Sequence, residues 1–178
     1  TGVIIEDFIA AGLPVIMLDA EHELWTMKEV GALVVGGSEG DAPFVEDAVA
    51  IDDVIRWAIR TATPVVFDVS EIAESEESEA ARLGELVMRR LWGIVDRERR
   101  AVAFACTEAA IFAPQTVTKG APMPAMLRQF MSRGRKRGLI SVFETQRMAE
   151  IQKSVISQTN VAFYGRTDKS VDFNAVKS

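Results

Sequence analysis

The chain has 178 residues, 48% of them hydrophobic and 26% charged, with a net charge of −6. That length holds one core and excludes two domains of ordinary size, and the composition excludes a disordered or membrane-embedded chain. One cysteine, Cys106, and one histidine, His22, exclude an internal disulfide and a structural zinc site, as expected of a cytoplasmic protein without a secretory leader.

Apolar runs of strand length alternate with segments of helical period. Residues 2–11 carry a helical stripe (Val3, Ile4, Ile5, Phe8, Ile9) that Gly12 should stop. Leu13 to Leu18 reads as a buried strand ending in Asp19, and Leu33–Val35 as a shorter one entering the turn Gly36-Gly37-Ser38. A helix is expected over 46–60, then a strand from Pro64 to Phe67 ending at Asp68. Ser75 or Ser78 is expected to cap a long helix reaching residue 99, with Leu83, Leu86, Val87, Leu91 and Ile94 on one face. Further strands are expected over 101–106, 139–143 and 161–164, with helices over 123–137 and 148–156 and a loop over 113–122. Fully apolar strands separated by helices define an α/β fold, a mostly parallel sheet with helices on both faces.

Polar residues gather where the strands end: Asp19, Asp68, Thr107-Glu108 and Thr145-Gln146. In such a sheet ligands bind at the carboxyl edge. A rigid strand that delivers a carboxylate at its tip can place a general base beside a phosphate, and Glu108 fits that role. The same residue also fits an ordinary acidic turn. The charge is uneven, with an acidic run over 68–85 and a basic one over 128–137. The basic run fits either a phosphate-binding face or a solvated helix end. Trp25, Trp57 and Trp92 read as core or interface anchors, Cys106 as a small hydrophobe, and His22 as a loop residue with no recognisable Ser or Cys partner.

Four segments together resemble the ATPase core of the HerA/FtsK superfamily. Glu108-Ala109 and Phe112-Ala113-Pro114-Gln115 are similar to its Walker B strand and the turn that follows. Arg133-Gly-Arg-Lys-Arg-Gly-Leu139, then a strand ending Thr145-Gln146-Arg147, resembles its basic helix end and sensor strand. Leu13 to Glu23 resembles the strand ending in Asp-Pro-x-x-Glu, and Ser154 to Asp168 the tail that closes on Arg-x-Thr-Asp. Thr107 departs from the pattern, because the family has aspartate there to hold water on Mg²⁺.

The resemblance implies a RecA-like P-loop NTPase domain over 1–178, cut just after its phosphate loop. No Gly-x-x-x-x-Gly-Lys-Ser/Thr stands in the chain, and Gly36 to Gly40 lacks the lysine. It implies ATP and Mg²⁺ as cofactors, Glu108 as base, Gln146 as γ-phosphate sensor, and Arg133 or Arg135 as an arginine finger acting on a neighbouring subunit. Thr1, Asp19 and Arg166 would face the nucleotide, and Thr107 would occupy the metal position. The implied function is an ATP-driven double-stranded DNA translocase or helicase working as a ring, expected to be a hexamer, with a nuclease among its possible partners. Two other readings stay open. One is a non-hydrolysing structural subunit of such a machine, and the other an unrelated small-molecule enzyme using Glu108 and Asp19.

Overall fold

The computed structural model describes residues 1–98, 100–115 and 125–163. A first helix, α1 (Gly2–Ala10), ends as its sequence dictates. Gly12 takes φ 73°, its N–H reaches Ile9 O at 2.9 Å, and the Leu13 N–H reaches Phe8 O at 3.1 Å, closing the last turn as a Schellman motif. Strand β1 (Val15–Asp19) follows, buried throughout. A 3-10 segment (Leu24–Val30) leads to β2 (Leu33–Val35). Helix α2 (Ala48–Thr61) is capped by Asp47, whose carboxylate accepts the N–H groups of Val49 and Ala50 at 2.8 Å each. Strand β3 (Val65–Asp68), helices α3 (Ser70–Ser75) and α4 (Glu77–Glu98), and strand β4 (Val102–Cys106) come next. The remaining elements are α5 (Ala109–Phe112), α6 (Ala125–Arg133) with a 3-10 turn over Gly134–Arg137, β5 (Leu139–Phe143) and α7 (Lys153–Ile156).

The five strands form one parallel sheet in the order β2-β3-β1-β4-β5. Alternation along each strand divides the core in two. Ile16, Leu18, Phe67, Phe104 and Cys106 face α2, α4 and α6, and Val15, Met17, Val66, Ala103 and Ala105 face α1 and the first 3-10 segment. The expected α/β class and parallel sheet are therefore present. At β5 the sheet ends among the described residues, with Ile140 exposed and the buried Ser141 Oγ lacking a hydrogen-bond partner.

Several expectations need correction. Neither Ser75 nor Ser78 caps the long helix: Ser75 ends α3, and Ser78 lies inside α4 with its hydroxyl donating to Glu76 Oε1 at 2.9 Å. The helix expected over 148–156 shrinks to α7 behind a turn, and Val161–Phe163 form no strand. Tyr164 lies outside the described residues. Trp25 and Trp57 are exposed, whereas Trp92 stacks on Phe130 at 5.7 Å beneath the Arg137 guanidinium.

Packing is tight at Gly84 of α4. A Cβ there would lie 2.4 Å from the Phe112 ring and 2.9 Å from Leu18 Cδ2. Gly84→Ala gains roughly 1 kcal/mol of helix propensity but overpacks a buried contact at a cost of about 1–3 kcal/mol. We expect a lower urea midpoint for the variant, and an unchanged or higher midpoint would contradict this packing.

Candidate active site

Because all strands are parallel, their polar tips meet along one edge. Asp19 and Asp68 are adjacent in register, and β4 sits between β1 and β5. Glu108 follows β4 in a left-handed conformation (φ 39°, ψ 60°) that a non-glycine residue seldom adopts. Its buried carboxylate accepts the Thr145 hydroxyl at 2.5 Å and the Gln146 N–H at 3.2 Å. Thr145 in turn accepts the Arg147 N–H at 3.0 Å. The tip of β5 therefore clamps the carboxylate delivered by β4, while Gln146 itself is exposed.

Thr107 and Asp19 are tied to each other, and both are buried. The Thr107 hydroxyl donates to Asp19 Oδ1 at 2.9 Å and accepts the Ala20 N–H at 3.0 Å. Asp19 also accepts the Leu24 N–H at 2.7 Å and the Glu21 N–H at 3.1 Å. Burial pushes the Asp19 carboxyl above its ordinary range, and these backbone bonds oppose that shift. The Cys106 thiol, wholly buried beside it, is pushed up by burial as well, which keeps it an inert hydrophobe.

These bonds bear on the metal. The Thr107 hydroxyl both donates and accepts a hydrogen bond, and among the described residues no three His, Cys, Asp or Glu side chains converge to hold an ion. An all-protein cation cage is thus absent among the described residues, whereas Mg²⁺ is commonly held by one or two carboxylates together with substrate phosphates.

Of the arginines expected at the site, Arg133 and Arg135 are exposed and have no carboxylate partner among the described residues, while Arg137 pairs with Asp96. The structure brings neither candidate to Glu108 and does not separate them. Arg166 lies outside the described residues. Burial raises the Glu23 carboxyl above its ordinary value, and the Glu144 carboxylate adds to that shift; Thr1 is the exposed residue that precedes α1. Glu21, Ser70, Glu77 and Arg147 line a cleft of about 300 Å³ at the sheet edge. Arg147 bridges Glu77 and Glu150, and its bond to Glu77 raises its pKa.

His22 is no free loop residue. Its Nδ1 lies 2.7 Å from Asp68 Oδ2, and this bond raises the imidazole pKa above its ordinary value. Nothing in the sequence announces the pair, because the partners lie 46 positions apart. A raised folded pKa means that the pair's contribution is whole below the unfolded value, about 6.5, and is lost as pH rises through the folded value. We expect wild type to lose stability relative to His22→Gln as pH rises above about 6.5, read from urea midpoints. Parallel pH curves for the two proteins would contradict the pairing.

No described protein family matches the sequence, and no curated protein matches it. Among the solved structures to which the chain is similar are those of the genome packaging NTPase B204 from Sulfolobus turreted icosahedral virus 2. The complex with ATP-gammaS is 13% identical, covering 93% of this chain and 81% of that one at a TM-score of 0.41. The AMPPCP complex is 12% identical over the same shares, at a TM-score of 0.43. At this level of likeness, the ground for a functional reading is the site's own geometry.

Proposed function

We infer that this chain is the nucleotide-hydrolysing core of a motor that moves double-stranded DNA, with Glu108 as the base that polarises the attacking water. The observation that carries the reading is the Glu108 clamp, a buried carboxylate at the tip of β4 held by Thr145 and Gln146 from the tip of β5. A fixed base in poorly hydrated surroundings acts strongly on a nearby water. The exposed Gln146 side chain next to it is available to a terminal phosphate, whose arrival would be felt at both strand tips. A phosphate loop preceding α1 would open onto this edge through the helix's amino end, where backbone N–H groups favour anions. Arg133 or Arg135, exposed and without a carboxylate partner among the described residues, would serve a neighbouring subunit, which is the physical reason for a ring, read here as a hexamer. A nuclease partner belongs to the same reading.

The Thr107 bonds favour a second reading, a subunit that holds nucleotide without hydrolysing it. Steady-state ATP hydrolysis by the full-length gene product and its Thr107→Asp variant separates the two. Turnover by wild type supports the motor. Nucleotide binding with turnover only in Thr107→Asp supports the structural subunit, and neither binding nor turnover in both proteins overturns both readings.

A further inference from the structure

Beside the Glu108 clamp, the same edge carries a constellation that nucleotide hydrolysis does not use. His22, Ser38 and Asp68 come from the loop after β1, the loop after β2 and the tip of β3. Ser38 Oγ lies 3.4 Å from His22 Nε2, whose ring partner Nδ1 lies 2.7 Å from Asp68 Oδ2. Asp68 is 1% exposed, and its other oxygen accepts the Ser70 N–H at 2.9 Å and the Ser70 hydroxyl at 2.6 Å. A buried, anchored carboxylate on Nδ1 holds the imidazole proton on that nitrogen and leaves the Nε2 lone pair facing the serine hydroxyl. The Ser38 contact is long for a hydrogen bond, as nucleophile–base contacts often are before substrate binds.

The backbone is built around this contact. Gly36 and Gly37 take φ 92° and 67°. A Cβ on Gly36 would lie 2.2 Å from the Asp68 carbonyl oxygen, and one on Gly37 would lie 2.3 Å from Asp68 Oδ2. Only glycine lets the loop press onto Asp68 and bring Ser38 to the imidazole. His22 itself is left-handed at φ 53°, a strained conformation for a side-chain-bearing residue and one that recurs at functional sites. Trp25 stacks on the imidazole at 6.2 Å and remains partly exposed, giving an apolar wall beside the His22 ring. The N–H groups of Ser38 and Glu39 donate to no acceptor among the described residues, so they are available to an oxyanion.

We propose that Ser38, His22 and Asp68 form a nucleophilic triad that hydrolyses small neutral or cationic esters. Ser38 Oγ attacks the carbonyl carbon as its proton passes to His22 Nε2. The tetrahedral adduct then expels the alkoxide, which takes that proton from Nε2 and leaves as the alcohol. Water repeats the sequence on the acyl-serine, giving up a proton to Nε2 that returns to Ser38 Oγ as the carboxylic acid departs. The substrate's charge follows from Glu21, Glu23 and Glu39 in the two loops, which repel anionic esters, whereas Asp41 is neutralised by Lys28 at 2.8 Å.

The test treats the full-length gene product with a fluorophosphonate and locates the adduct by peptide mass spectrometry, with p-nitrophenyl acetate hydrolysis as a second readout. The expected result is phosphonylation at Ser38, absent in Ser38→Ala and slowed about 100-fold or more in His22→Gln. Ester hydrolysis falls in parallel in both variants. Ser38 is exposed, so Ser38→Ala should keep the wild-type melting temperature, and it should keep wild-type ATP turnover, which makes this proposal fail or stand apart from the motor. Absence of a Ser38 adduct, or labelling of Ser38 at the wild-type rate in His22→Gln, would overturn it.

Discussion

Replacing Glu108 with Gln in the full-length gene product should lower ATP turnover by about 10²–10⁴-fold while leaving nucleotide affinity within a few-fold. The substitution keeps the shape of the side chain and the accepting oxygen nearest one donor. It removes the ability to take a proton from water. One of the two bonds, to the Thr145 hydroxyl or to the Gln146 N–H, would then face an amide group, which costs about 1 kcal/mol and leaves the fold intact. Turnover within tenfold of wild type would mean that Glu108 only closes the turn after β4, and the base would have to be sought elsewhere.

The second large effect is on stability. Phe104→Ala should destabilise the protein by about 3–5 kcal/mol, as removal of a buried aromatic does. Phe104 is 0% exposed and meets the Phe130 ring edge-on at 5.0 Å and the Phe143 ring at 6.1 Å. It thus joins β4 to both α6 and β5, the strand that clamps Glu108. At 2–4 °C per kcal/mol for a chain of this size, the melting temperature should fall by roughly 10 °C. A loss under about 1 kcal/mol would mean that neighbouring side chains collapse into the space. Because Phe104 is opposite Ser141 in register, the cavity also loosens the pairing that aligns the two strand tips. The surviving folded protein should therefore be impaired in turnover as well.

Strands β1, β3, β4 and β5 were legible because burial on both faces of a parallel sheet demands near-continuous apolar runs, and each run stops at a polar residue that marks the edge. That regularity also located Glu108, Thr145 and Gln146 before any contact was known. Helix α3 was not legible, since six residues of mostly polar and acidic character carry no usable period. The end of α2 was placed one residue early because Ala62 adopts the left-handed conformation (φ 56°) without a glycine to announce it. The bond between Thr107 and Asp19 spans 88 positions and has no local signature. Sequence therefore showed that Thr107 departs from the aspartate of the resembled family, but not that Asp19 already engages its hydroxyl. The Ser38–His22–Asp68 contacts were missed for the same reason, although the Gly36-Gly37-Ser38 turn after β2 was visible and the pair of glycines was its available clue. Arg133 and Arg135 remain equivalent because both are exposed and neither has a carboxylate partner among the described residues.

The measurement that bears most directly on the central claim is ATP hydrolysis by the full-length gene product with and without duplex DNA. The account predicts turnover that duplex DNA stimulates and that Glu108→Gln abolishes in both conditions. Hydrolysis indifferent to DNA, or no hydrolysis at all, would contradict a DNA motor built on the carboxyl edge of this sheet.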